Sequence, residues 1–238
     1  MERHPCTLCV LAAAGSSERM NGRDKLFTEL CGKPVLQRTL EAYAASELVD
    51  AIYVVTKASS MEAVTDLIRK AGIPKVECVL QGGETRQISV RNALDEVGRR
   101  REERRFKYIA IADAARCLIT VEQIDSVIRE AYRTEAATAA CPATDTVALG
   151  KDGWIGTVPD RSGVFLLSTP QVMKYTLYMA AAYSAEQDGF TATDDNALVL
   201  RIGHGVKLVD VGRENIKITT PSDLTVAEAL LKARKEVP

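Results

Sequence analysis

Two rhythms of hydrophobic and polar positions alternate along the chain. Short apolar runs recur at Thr7–Ala13, Ala51–Thr56, Val76–Leu80 and Tyr108–Ala112. Their length and β-branched content read as buried strands. Between them the apolar positions take a helical period. One helix opens at Lys33-Pro34 and runs to about Ala45, with Leu36, Leu40 and Tyr43 on one face and the proline in a tolerated first-turn position. Ser59-x-x-Glu62 predicts a capping box for a second helix, which stops at Gly72. A third helix spans about Arg86 to Val97, and a fourth runs from the Thr120-x-x-Gln123 cap to about Arg133. Ala136 to Ala143 is a weak, alanine-rich strand. Strands alternating with helices predict an α/β fold, a mostly parallel sheet with helices on both faces.

The alternation breaks between Thr144 and Ser168. Val147–Leu149, Gly150-Lys151-Asp152-Gly153 and Trp154–Val158 read as a hairpin around a glycine-bearing turn. A lone hairpin is marginal in water, and this one carries the only tryptophan. The expectation is a β-arm, an insertion at about 144–168 in a single domain spanning 1–238, that packs on a second copy as a homodimer. A flap folded on its own domain is the alternative. Beyond it, Gln171 to about Glu186 reads as helix, Asp194-Asp195 begin a short helix, Lys207–Val211 is a strand, and Thr220-Pro221 start the last helix.

Composition narrows the classes. A chain of 238 residues with 46% hydrophobic content can bury a sizeable core. No apolar run approaches the ~20 residues of a membrane span. Met1-Glu2-Arg3-His4-Pro5 lacks a signal-peptide pattern, so a cytoplasmic chain is expected. A net charge of −1 offers no attraction for nucleic acid or an anionic membrane. The mixed run Arg99–Lys107 reads as a solvated helix end and loop. Six dispersed cysteines without a second C-x-x-C read as reduced thiols, and His4 and His204 as surface residues.

Candidate chemistry gathers where strands end. After Thr7–Ala13 come Ala14, Gly15, two serines, Arg19 and Lys25. Small residues admit a bulky ligand, and Gly15 at positive φ would let successive N–H groups form an anion nest. Arg19 and Lys25 add charge suited to phosphate. Gly-Lys followed by Ser or Thr is missing, which excludes a P-loop, and the glycine spacing excludes the dinucleotide fingerprint. An ordinary charged loop also fits this stretch. Gly82-Gly83, Asp113 and Asn215-x-Lys217 mark three further ends in the zone where open α/β sheets bind ligands. Asp113 could meet Mg²⁺ and phosphate, or serve as a helix cap or Asx-turn; Lys217, read alone, is an exposed strand lysine. Together these residues suit phosphoryl or nucleotidyl transfer, whereas no Ser/His/Asp set is readable.

Ala12-Ala13-Ala14-Gly15-Ser16-Ser17-Glu18-Arg19-Met20 with Lys25, Gly82–Val90, Asp113-Ala114-Ala115-Arg116, Asp145-Thr146, Asp160-Arg161, Thr169-Pro170-Gln171, Thr193-Asp194-Asp195 and Asn215–Thr219 run in order through about residues 7 to 235. This series resembles the 2-C-methyl-D-erythritol 4-phosphate cytidylyltransferase family. The resemblance implies a Rossmann-like nucleotidyltransferase fold, a homodimer through a β-arm, and the joining of CTP to a polyol phosphate, 2-C-methyl-D-erythritol 4-phosphate, with Mg²⁺ and pyrophosphate release, in isoprenoid precursor synthesis. It implies that Ala13, Ala14, Gly15, Gly83 and Ser89 line the CTP site, that Arg19, Lys25 and Lys217 neutralise the triphosphate, and that Asp113 holds Mg²⁺. Thr146 and Arg161 would bind the sugar phosphate, Arg161 from the partner's arm. The sequence departs from the family at Ala112, Cys117 and Ala148-Leu149, near the expected acceptor site. It departs also at Asp24, where proline is usual and whose presence would loosen the loop. A ribitol 5-phosphate cytidylyltransferase and a non-catalytic nucleotide-binding homologue are the alternatives.

The arm expectation has a direct check. Sedimentation at micromolar concentration should return the mass of two chains; the mass of one chain would remove it.

Overall fold

The computed structural model describes residues 4–15, 24–102 and 105–236. Its centre is β1 (Thr7–Ala13), paired in parallel with β4 (Ala51–Thr56) on one side and β6 (Tyr108–Asp113) on the other. With β5 (Val76–Gln81), β7 (Ala136–Pro142), β10 (Phe165–Lys174) and β11 (Lys207–Asp210) these make a seven-stranded sheet in the order β11-β7-β10-β6-β1-β4-β5. Only β10 runs antiparallel to its neighbours. Among the described residues no helix is long and apolar enough to cross a membrane, and all six cysteines are free thiols.

Successive side chains along a strand face opposite ways, so β1 feeds two cores. Cys9, Leu11 and Ala13 join a cluster with α1 (Val35–Ala45), α2 (Met61–Ala71), α4 (Val121–Thr134) and α7 (Pro221–Glu236). Leu8 and Val10 join the opposite cluster with α3 (Arg86–Arg99), α5 (Tyr175–Gln187) and α6 (Asp195–Arg201). Burial on both faces explains why β1, β4 and β6 are apolar nearly throughout rather than alternating. Removing a buried leucine from such a layer costs ~2–5 kcal/mol.

Several expected boundaries shift. Lys33-Pro34 does not open α1: it forms β3 (Lys33–Pro34), a small antiparallel ladder with β2 (Glu29–Leu30), and Pro34 is the residue before the helix. The Ser59/Glu62 capping box is absent; a 3-10 turn over Ala58–Ser60 leads into α2 without a side-chain cap. Gly72 does end α2, at φ +61. The largest correction is at Gln171–Lys174, expected as helix and found as the end of β10. Gln171, Val172 and Met173 are buried against β6 and β7, so sheet pairing overrides the local helical pattern. Asn215–Ile218 is irregular rather than a strand end.

The arm consists of β8 (Leu149–Lys151) and β9 (Trp154–Thr157), a two-stranded ladder separate from the main sheet. Trp154 is 81% exposed and Ile155 72%. Neither side chain is covered by the rest of the described residues.

One capping box is complete. Thr120 Oγ1 accepts from Gln123 N, and Gln123 Oε1 accepts from Thr120 N. Thr120→Ala should lower unfolding stability by about 1 kcal/mol, whereas Ser59→Ala, at the box that does not form, should stay within about 0.5 kcal/mol. Urea unfolding of the two variants tests the contrast.

Candidate active site

Strand order reverses at β1: the chain moves out through β4 and β5, then returns to place β6 on the other side. Such a switch point opens a crevice beyond the carboxyl ends of the strands. Register sets Ala13 opposite Thr56 and Thr56 opposite Gln81, so β1, β4 and β5 finish at one level, with the β6 end, Asp113, opposite Ala12 one residue short of it. A cleft of about 500 Å³ lies there, lined by Ala13, Ala14, Gly15, Lys25, Gly83, Arg86, Ser89, Asp113 and Lys217 among others. Eight of the sequence-selected residues thus meet around one space. Arg19 lies outside the described residues. Thr146 and Arg161 sit exposed on the arm, away from this cleft; Arg161 Nη1 donates to Thr144 O at 2.9 Å.

The glycines act by size rather than by left-handed backbone. None of Gly15, Gly82 and Gly83 has positive φ, contrary to the expectation for Gly15. A Cβ on Gly82 would lie 2.6 Å from Ala14 Cβ and 2.9 Å from Ser89 Oγ. This near-contact joins the β1 and β5 loops. Gly82 N donates to Thr56 O at 2.7 Å, and Gly83 N donates to Ser89 Oγ at 3.1 Å. Ser89 in turn donates to Thr85 O at 2.9 Å, so this buried hydroxyl holds the glycine loop against α3. Thr85 caps α3 by accepting from Ile88 N. The positive end of the α3 dipole therefore borders the cleft.

Lys25 is nearly buried in the wall. The turn that carries it is tied by Asp24, whose Oδ1 accepts from Leu26 N at 3.1 Å in an Asx-turn. Asp24 thus organises the loop that its exchange for proline was expected to loosen.

Asp113 lies on the cleft floor, 8% exposed. Three cations converge on its carboxylate: Lys217 Nζ at 2.8 Å, Arg86 Nε at 3.4 Å and Arg116 Nε at 3.6 Å. Burial pushes its pKa up, but the Lys217 and Arg86 charges, the Lys217 hydrogen bond and the Arg116 charge outweigh it. The net effect holds the carboxyl below its ordinary value. Its side chain is therefore neither a helix cap nor an Asx-turn. Its backbone N accepts no local role either, donating instead to Thr169 Oγ1 at 3.0 Å. Lys217 is exposed, as a surface lysine would be, but it lies outside any strand and its ammonium pairs with Asp113. Its irregular segment is held by Ile218 N donating to Ala115 O at 2.8 Å and by Arg116 Nη1 donating to Asn215 O at 2.6 Å.

Arg86, Arg116 and Lys57 acquire roles that sequence reasoning did not assign. Arg86 carried a usable signal, a cation at a helix start three residues after a double glycine. Lys57 lines the cleft from the end of β4 but carried no such mark. Four cations and two carboxylates, Asp113 and Glu84, line the cleft among the described residues, giving a net positive wall suited to a polyanion. Among the described residues no group of three or more His, Cys, Asp or Glu forms a metal cage; a hard cation here could be held by the Asp113 carboxylate together with ligand oxygens. Of the two neighbours considered as further ligands, Glu214 turns away to Arg234 at 2.8 Å. Asn215 is buried with its Oδ1 unpartnered.

Comparison with known proteins agrees with this geometry. The family model described as 2-C-methyl-D-erythritol 4-phosphate cytidylyltransferase matches residues 7–233. A protein of that name from Caldanaerobacter subterraneus subsp. tengcongensis is 39% identical over 226 residues, covering 94% of this chain and 97% of its own. One from Parasynechococcus marenigrum is 39% identical over 229 residues, covering 95% and 98%. A solved 4-diphosphocytidyl-2C-methyl-D-erythritol synthase from Anaerococcus prevotii shares the fold at TM-score 0.83 and 24% identity, covering 96% of this chain and 99% of its own. The 2-C-methyl-D-erythritol 4-phosphate cytidylyltransferase of Thermus thermophilus superposes at TM-score 0.75 and 28% identity, covering 94% and 98%. With its α/β nucleotidyltransferase fold and a family match over nearly its whole length, the chain belongs to the 2-C-methyl-D-erythritol 4-phosphate cytidylyltransferase family.

Proposed function

We propose that the chain transfers the cytidylyl group of CTP to 2-C-methyl-D-erythritol 4-phosphate. An acceptor phosphate oxygen attacks the α-phosphorus of CTP; the bond from that phosphorus to the bridging β-phosphate oxygen breaks, and pyrophosphate leaves. The observation that carries this reading is the meeting of a glycine loop, Lys25, Lys217 and Asp113 at one sheet switch point. The nucleophile belongs to the substrate, so the protein's work is alignment and charge stabilisation. Ala13, Ala14, Gly15, Gly83 and Ser89 leave room for the nucleoside. Lys25 and Lys217, with Arg19, neutralise the triphosphate. Lys217 leaves Asp113 for the phosphates as they arrive, an exchange of partners across 2.8 Å. Asp113 would hold Mg²⁺ beside the phosphates, and the bound ion supplies charge withdrawal from the phosphoryl oxygens and the leaving pyrophosphate.

Thr146 and Arg161 bind the acceptor's phosphate across a homodimer, each arm reaching the partner's cleft. Their exposure away from their own cleft and the bare apolar arm support this reading. The relatives described above carry the methylerythritol phosphate name, and nothing in the cleft favours ribitol 5-phosphate instead.

Pyrophosphate release from CTP and Mg²⁺ should require methylerythritol phosphate and exceed that with ribitol 5-phosphate; no turnover by folded protein would count against the assignment. Lys217→Ala and Lys25→Ala should each lower kcat by about 10²–10³-fold, or about 2.7–4 kcal/mol. A change confined to KM would move the lysine to ground-state binding. Trp154→Asp should leave the fold intact, shift sedimentation to one chain and abolish turnover, since a monomer lacks the partner's Arg161.

A further inference from the structure

Arg86 is shared between two carboxylates. Its Nε faces Asp113 on the cleft floor, and its Nη1 donates to Asp195 Oδ2. Asp195 does not line the cleft. It is 2% exposed, opens α6, and its backbone N–H donates to Gln171 Oε1 at 3.0 Å. Its other carboxylate oxygen accepts the Tyr178 hydroxyl at 2.7 Å from the interior of α5. Burial raises the Tyr178 pKa, so this hydroxyl stays a donor.

A carboxylate this deep is tolerated only when its charge is met and its lone pairs are used. Arg86 supplies the charge and Tyr178 a hydrogen bond. The constraint also runs the other way. The planar guanidinium, whose side chain is 26% exposed at the cleft edge, is fixed in orientation by an anchor that is 2% exposed and outside the cleft lining. Bound phosphates compete for the cations around Asp113, and Lys217 has no second carboxylate partner among the described residues. Arg86 has one.

We infer that Asp195 and Tyr178 are positioning residues that keep the Arg86 guanidinium aimed into the cleft as phosphates bind. The inference rests on the cytidylyltransferase reading for its ligand, CTP, but the anchoring is a property of the chain itself.

A double-mutant cycle tests it. Asp195→Asn should lower kcat/KM by about 10–100-fold, mainly through kcat, as misplacement of an aligned group does. Tyr178→Phe, which removes one hydroxyl and keeps the ring, should cost about 3–10-fold in the native background and less than about 2-fold beside Arg86→Lys. If Asp195→Asn fails to fold, the tyrosine cycle carries the test alone. A second readout does not depend on turnover: the NMR signal of Arg86 Nε–H, assigned by its loss in Arg86→Lys, should exchange faster with water in Tyr178→Phe. Equal losses in both backgrounds, or an unchanged Arg86 signal, would overturn the inference. A native protein that releases no pyrophosphate while its Arg86 signal responds would sink the activity reading and leave the anchoring standing.

Discussion

The buried carboxylate of Asp113 is the constraint around which the site is built. An ionised group withdrawn from water costs several kcal/mol unless it is paired and hydrogen-bonded. Here the pairing comes from three places far apart in the chain: Arg86 from the start of α3, Arg116 from the loop after β6, and Lys217 from the segment before α7. Each cation holds its loop to the floor of the cleft. The same pairing keeps the carboxyl ionised below its usual range. A strong field is therefore assembled in the folded chain before any ligand arrives, which is the form of electrostatic catalysis that costs no reorganisation later.

Around that carboxylate the remaining parts solve a problem of space. The β1 and β5 loops approach so closely that a Cβ at Gly82 would strike Ala14 or Ser89. The glycine loop therefore serves packing, not an unusual backbone conformation, and Ser89, anchored on the α3 cap residue Thr85, secures it to α3 by accepting from Gly83 N. Arg86 follows that loop directly, so one short stretch supplies both room and charge. Its second anchor, Asp195, is reached only because α6 joins the same core cluster as α3 on that face of the sheet.

Much of this was legible in the residues themselves. The β1, β4 and α4 boundaries follow from apolar period and capping chemistry, because local rules governed them and tertiary packing agreed. Gln171–Lys174 was not legible. Its local pattern suits a helix, but two neighbouring strands leave a slot that only an extended segment can fill. Ser59 looked like a cap and is not one, since a 3-10 turn takes the chain into α2 first. Arg86 stands at a helix start near a double glycine, but that position does not say which carboxylates lie across the cleft.

The sequence by itself determined the alternation of strands and helices, the small residues at the strand ends and the cations near them. These depend on period, side-chain size and formal charge, all carried by neighbouring residues. Only the tertiary structure decided that Asp113 faces Lys217 at 2.8 Å, that Asp24 ties the Lys25 turn, and that Arg86 leans on a carboxylate outside the cleft. Those outcomes depend on strand order and register, which bring together residues separated by up to about a hundred positions. No local pattern encodes which of several possible partners will be nearest once the sheet has closed its crossovers.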